Sequence, residues 1–308
     1  VFTDNAGIIA FCEGWDVAMK AETHNSPSAL DPYGGAMTGI VGVNRDILGC
    51  GMGCKPIFNT DVFCFASPFY DKPVPDKLHP PKRLLKEVHR GVKDGGNESG
   101  IPTVNGSIVF DDRYLGKPLV FCGTGGLIPS ELHGKPSWQK SIAPGDRIIM
   151  AGGRIGKDGI HGATFSSAAL TEASPTSAVQ IGDPITQKKL LDFMLEARDL
   201  GLYRFVTDNG AGGLSSSLGE MARESGGCEL HLDRAPLKYA GLDPWEILVS
   251  EAQERMSFAV PPENWNAFRE LAERRDVEVS DLGLFTDNGF FECRYYEKTV
   301  CLMDMEFL

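Results

Sequence analysis

Residues Lys20-Ala21-Glu22-Thr23-His24-Asn25-Ser26-Pro27-Ser28 hold a dense set of groups that can do chemistry. They follow an apolar-alternating run, Val17-Ala18-Met19. Read as a β-strand, the segment alternates faces, so Lys20, Glu22 and His24 share one face. An ammonium, a carboxylate and an imidazole in a row can hold a phosphate, hold a divalent cation and move a proton. Asp31-Pro32-Tyr33-Gly34-Gly35 comes next and is expected to bring backbone N–H groups close to an anion. A bland reading stands beside this one. Lys and Glu two apart on one strand face are common, and His24 alone reads equally as a structural histidine.

Further along, Arg45-Asp46 lies near the end of a predicted helix. It reads either as a phosphate and metal pair or as an arginine at the helix C-terminus with a capping aspartate. Asp208 closes a predicted strand and opens the glycine loop Asn209-Gly210-Ala211-Gly212-Gly213, a usual place for metal and phosphate contacts. It also reads as a turn or N-cap residue. The loop from Gly152 to Gly162 carries five glycines, Arg154, Lys157 and His161, and is expected to cradle a ligand. The phosphate-loop pattern GxxxxGK[ST] is absent, since Gly156-Lys157 is followed by Asp158. Ser250-Glu251-Ala252-Gln253-Glu254-Arg255 resembles a charged helix end, and Gln180 before Ile181-Gly182-Asp183-Pro184 is unremarkable alone.

The elements that must position these groups follow from periodicity. Gly35 to Leu48 has helical spacing, with Gly39 and Gly42 allowing close packing. Residues 57–66 read as a strand, 68–81 as a surface loop, 84–92 as a helix and 95–100 as a turn. Residues 131–146, polar and holding Pro136 and Pro144, read as a linker between a domain at 1–130 and another at 147–308. In the second, strands are predicted at 147–151 and 203–207, and helices at 190–200, 215–223 and 265–274. The mixture is α/β or α+β in two domains, with no short internal repeat.

Bulk properties exclude several classes. The chain has 308 residues, 42% hydrophobic and 23% charged, as expected of an ordinary globular protein with room for two domains. Its formal net charge of −12 argues against a nucleic-acid partner, which needs basic patches to replace counterions. No apolar run approaches a membrane span, so no membrane partner is expected. Eight cysteines are scattered without a CxxC pair, which disfavours structural zinc and fits reduced thiols in the cytoplasm. Cys50 and Cys54 form only a lone CxxxC, and Cys64 sits in an apolar run as a core residue. The chain begins at Val1, and we read it as a piece of a longer protein.

Taken in order, KAETHNSPSALDPYGGA, GVNRDILGCGMGCKPI, GGRIGKDGIHGATFSS, VQIGDP, TDNGAGGLSSSLGEMA and SEAQERM are far more specific than any one segment. The series resembles the synthetase component of phosphoribosylformylglycinamidine synthase, a member of the aminoimidazole-ribonucleotide-synthetase-like superfamily. The resemblance covers nearly the whole chain. It implies a first α/β domain whose strands build a barrel with a partner copy, and a second α/β domain beside it. This pair occurs twice in the family enzyme, and the chain is similar to the first pair. By matched position the resemblance implies that Lys20 binds ATP and that Glu22 ligates Mg²⁺. It implies that Asp46 and Asp208 ligate a second Mg²⁺. Thr23, His24, Asn25 and Ser26 would bind substrate, with His24 the proton acceptor. Arg45, Gln180, Glu251, Ala252 and Gln253 would be further substrate contacts. The implied reaction is ATP-dependent amidation of formylglycinamide ribonucleotide, with ammonia from a glutaminase subunit or domain. A second synthetase half or a homodimer partner is also implied. Thr23, Ser26 and Asn209 depart from the residues common in the family, where Ser, His and Met stand. A sister enzyme of the superfamily, or a half that binds ligand and turns over nothing, are the competing expectations.

Overall fold

The computed structural model describes residues 4–160, 162, 179 and 182–308. Gln180 and His161 therefore lie outside the described residues. In the first domain the alternating runs form β1 (Gly7–Cys12), β2 (Trp15–Thr23), β3 (Lys55–Phe65), β4 (Thr103–Phe110) and β5 (Leu119–Pro129). They make one sheet in the order β1-β2-β5-β3-β4, antiparallel except for β3 with β4. The helices α1 (Asn25–Leu30), α2 (Pro32–Gly49) and α3 (Pro81–Ser99) belong to the same domain. Ala36, Ile40 and Val43 of α2 bury themselves with Leu84, Val88, Phe65 and Val120. A helix apolar on several sides is one enclosed on several sides, and α2 is central here.

Three local expectations are corrected. The strand ends at Thr23, and His24 is the residue preceding α1 with φ −124° and ψ 51°. Lys20 and Glu22 do share one face of β2, while His24 is placed by the strand-to-helix turn. Gly34 and Gly35 lie in the first turn of α2, where Asp31 takes both N–H groups. A Cβ on Gly35 would stand 2.5 Å from the backbone of Pro27, so this glycine lets α1 pack on α2 and offers nothing to an anion. Finally, α3 runs through Gly95 and Gly96 and stops only at Gly100, whose φ is +69°. A Cβ on Gly95 would meet Ile40 at 3.3 Å, so close packing on α2 offsets the poor helix propensity of glycine.

A two-strand hairpin, β6 (Glu131–Leu132) with β7 (Lys135–Pro136), leads into the second domain. There β8 (Arg147–Gly152), β9 (Phe205–Asp208), β10 (Cys228–His231), β11 (Arg255–Val260), β12 (Val279–Phe285), β13 (Phe290–Tyr295) and β14 (Lys298–Asp304) form a sheet. Its order is β14-β13-β10-β12-β8-β11-β9. Every residue of β11 is buried, because apolar clusters pack on both faces. One cluster gathers α4 (Pro184–Asp199) and α7 (Trp265–Arg274), with Phe193 and Phe268 edge to face at 4.9 Å between centroids. The other gathers α5 (Gly213–Ser225) and α6 (Pro244–Val249). Leu48 of α2 and Ile101 join the first of these clusters, so the two domains share a core. Tyr203 and Arg198 add hydrogen bonds to the carbonyls of Met52 and Gly53, both at 2.7 Å. This seam fixes the end of α2 against β9. Among the described residues no helix is long and apolar enough to cross a membrane.

Candidate active site

The seam brings β2, the end of α2 and the end of β9 together. Lys20 Nζ lies 3.2 Å from Glu22 and 3.2 Å from Asp46. Arg45, the neighbour of Asp46 on α2, is buried and crosses to the second domain. Its Nη1 donates to Gln253 Oε1 at 2.5 Å, and its Nε lies 3.8 Å from Asp208 Oδ2. Neither arrangement is helix-end capping, and the N-cap of α5 is Gly212, not Asp208. Glu251 accepts from the Gly212 N–H at 3.1 Å, which ties the 250–253 loop to the glycine loop after β9.

Arg255 holds that loop from below. Its guanidinium is fully buried and donates to the carbonyls of Ala252 at 2.8 Å and Ser250 at 2.5 Å. Glu254 takes a left-handed φ of +59°, a conformation costly for a side chain. The Gly152 loop packs against this strained turn. Gly153 N donates to Glu254 O at 2.8 Å, and a Cβ on Gly152 would sit 2.0 Å from the same oxygen. The predicted ligand cradle is thus partly a support for the 250–254 turn, with Lys157 paired to Glu246 at 2.9 Å. Gly162, at the loop's end, does line the cleft.

Two adjoining hollows result. One of about 470 Å³ is bounded by Glu22, His24, Arg45, Asp46, Asp208 and Gln253. The other, about 820 Å³, shares Asp46 and Asp208 and reaches Lys20, Lys140 and Phe205. Gly39 makes room for the imidazole: a Cβ there would meet His24 Cβ and Cys122 Sγ at 3.1 Å. Gly42 has open space instead of a close neighbour, so it widens the cleft where close packing was expected.

Burial pushes His24 down to about 4, so its ring is neutral near pH 7. Its Nδ1 is buried without a hydrogen-bond partner among the described residues. Burial and then the charges of Asp208 and Glu22 hold Asp46 well above the usual carboxylate range. Asp208 is raised by burial, against the pull of Arg45. Burial lowers Lys20, but Asp46 and Glu22 outweigh it and the net direction is up. The group is a cation placed among three acids that repel one another.

The acids do not converge on one point. Among the described residues no cluster of three ligating side chains is preformed for a metal. Oxygen donors on separate elements suit Mg²⁺ all the same, since that ion usually takes one or two carboxylates and completes its shell with phosphates and water. Of the other expected site residues, Thr23 lines the cleft. Asn25 Oδ1 accepts from Val120 N at 2.8 Å, closing the end of β5, and Ser26 is buried inside α1. Ala252 is buried, with its N–H on Ser250 Oγ at 3.2 Å. The cysteines are free thiols, and Cys54 is driven far up by its hydrogen bond with Cys50 and by burial. Sequence reasoning missed Asn5, Asp4, Lys140 and Arg255, whose partners lie far away in the chain or in main-chain carbonyls.

Glu254 yields a prediction of unusual sign. Burial holds its carboxyl up at about 8, with Arg45 pulling the other way. The folded chain therefore keeps a proton that the unfolded chain, at 4.5, has released. Stability is lost as pH rises from the unfolded to the folded value. Glu254→Gln should change stability little at pH 4.5 and raise it by about 4 kcal/mol at pH 8, by urea unfolding at both. An equal effect at the two pH values would show that Glu254 does not titrate in this window.

Comparison with known proteins agrees with this architecture. Residues 3–128 match the N-terminal domain of AIR synthase related protein, and residues 143–295 match its C-terminal domain. The chain is 39% identical over 308 residues to the phosphoribosylformylglycinamidine synthase subunit PurL of Thermoplasma volcanium, covering 99% of this chain and 40% of that protein. PurL of T. maritima complexed with FGAR superposes with a TM-score of 0.85 at 31% identity, over 99% of this chain and 48% of that one. The same protein complexed with ATP gives 0.81 at 30% identity, over 99% and 46%. The chain thus spans less than half the length of these relatives. Both domains are accounted for in order, and the chain belongs to the AIR synthase related family.

Proposed function

We propose that this chain is a synthetase half for the ATP-dependent amidation of formylglycinamide ribonucleotide, a step of purine biosynthesis. The observation that carries the reading is the continuous cleft in which Lys20, Glu22, Asp46 and Asp208 adjoin His24 and the Arg45–Gln253 pair. Likeness to a protein solved with FGAR and with ATP supports the choice of substrates.

An amide oxygen is a poor leaving group. In the proposed sequence the amide oxygen attacks the γ-phosphorus of ATP and ADP departs. Ammonia then adds to the activated carbon, phosphate leaves, and the nitrogen loses a proton. Glu22, Asp46 and Asp208 are the residues that would hold Mg²⁺, which when bound neutralises charge on the transferring phosphoryl group. Lys20 adds a point charge there. His24, neutral in the cleft, is the proton acceptor, and Arg45 with Gln253 orients the substrate. Gln180 belongs to the same proposal through the resemblance alone.

The ammonia would come from a glutaminase partner. A second synthetase half, or another copy, would cover the outer face of the first sheet. Ile9 and Phe11 of β1 are 69% and 67% exposed, Met19 of β2 is exposed, and the opposite edge strand β4 is exposed along its whole length. Exposed apolar side chains on β1 and β2, with an edge strand left open at β4, are what a further chain would cover. The test is ADP release from Mg-ATP and ammonium, with and without formylglycinamide ribonucleotide. Release that requires both nucleotide substrate and ammonia is expected. ADP release indifferent to formylglycinamide ribonucleotide, in this chain and in the chain joined to its second half, would overturn the assignment.

A further inference from the structure

The residues just before β1 reach into the site from the side. Asp4 Oδ1 accepts from Lys140 Nζ at 2.6 Å, and Asp4 Oδ2 accepts from the Gly51 N–H at 2.6 Å. Both charged side chains are about nine-tenths buried, and Lys140 also donates to Gly49 O at 2.7 Å. This anchor sets the next residue, Asn5, between the two domains. Asn5 Nδ2 donates to Asp208 Oδ1 at 2.8 Å, and Thr207 Oγ1 donates to Asn5 Oδ1 at 3.2 Å. The main-chain oxygen of Asn5 accepts from Lys20 Nζ at 3.1 Å. One residue therefore touches the lysine of the first domain and the aspartate of the second.

Gly49, in the last turn of α2, is shaped to this contact. A Cβ there would stand 2.4 Å from Asn5 Nδ2 and 3.2 Å from Asp208 N. The two oxygens of Asp208 are thereby given separate neighbours: Oδ1 faces the Asn5 amide and Oδ2 faces Arg45. A carboxylate held at both oxygens loses its rotation about the terminal torsion. An amide at this place supplies a donor, where an aspartate would add a fourth negative charge.

We infer that Asn5, seated on Gly49 and anchored through Asp4 and Lys140, is a positioning residue that sets Asp208 and Lys20 for the metal-bound triphosphate. The inference rests on the reading of Lys20, Asp46 and Asp208 as the nucleotide and metal groups. Residues that orient a metal ligand typically contribute tenfold or more to affinity. Asn5→Ala should weaken Mg-ATP binding by about tenfold, measured by calorimetry on the whole chain. Binding of formylglycinamide ribonucleotide should change less than about twofold, because Asn5 does not border the hollow lined by His24 and Gln253.

Gly49→Ala should reproduce the loss by displacing the amide. In the double variant Asn5→Ala with Gly49→Ala the two losses should fail to add, since the 2.4 Å clash disappears with the amide and only the 3.2 Å approach to Asp208 N remains. A merely structural role would weaken both ligands together. Mg-ATP binding by Asn5→Ala equal to that of the unsubstituted chain would overturn the role of Asn5 alone. Additive losses in the double variant would overturn the shared mechanism. Absence of Mg-ATP binding by the unsubstituted chain would overturn the nucleotide reading and this inference together.

Discussion

His24→Ala is expected to lower ammonia-dependent ADP formation by about 10²- to 10⁴-fold, the usual contribution of a positioned acid–base group. Mg-ATP affinity should hold, because the hydrogen bonds and ion pairs of Lys20, Asp46 and Asp208 run to one another, to Arg45 and to Asn5. The ring leaves the β2 ladder for the turn into α1 and points where Gly39 leaves space. Its depressed pKa of about 4 keeps the ring neutral near pH 7, so a nitrogen lone pair is available there, on a weaker base than an exposed imidazole. A neutral ring beside acids also avoids a fixed cation that would compete with Lys20 for them. Initial rates with saturating substrates, alongside nucleotide titrations, separate the two effects. Full turnover by His24→Ala would sink the role.

Much of this site was legible in the chain because the groups sit in compact local strings. Lys20 and Glu22 needed only strand alternation, whereas the strings around Asp46 and Asp208 read equally as capping or turn residues, and only the resemblance joined them to the others. His24 was legible as a residue but misplaced in geometry, since nothing in alternation signals that the ladder stops at Thr23. Gly95 and Gly96 read as a turn because the packing of Gly95 on Ile40 is tertiary, and tertiary packing overrides propensity. Asn5 was out of reach for a different reason: its partner Asp208 is 203 residues away. Arg255 could be read from its string only as charge, yet its work is done on main-chain carbonyls three and five residues back. Long-range pairing and backbone satisfaction leave no periodic trace, whereas segment chemistry does.

Arg45 carries the other large effect, since it joins the two domains at the cleft. It is 2% exposed, bonded to Gln253 and facing Asp208. Removing one member of a buried charge pair costs about 3–5 kcal/mol, because the remaining charge is left without its counterion. Arg45→Leu should therefore strand Asp208 beside Asp46, release Gln253 and lower kcat/KM for formylglycinamide ribonucleotide by about 10²- to 10³-fold. Arg45→Lys decides whether charge or geometry matters. An ammonium can sit near Asp208 but lacks the planar fork that reaches Gln253 and Asp208 together. The lysine variant is expected to regain most of the stability in urea unfolding while remaining at least tenfold slow. Recovery of both would mean that charge alone suffices and that the orientation of Gln253 is incidental. Recovery of neither would place Arg45 in the fold and outside substrate handling.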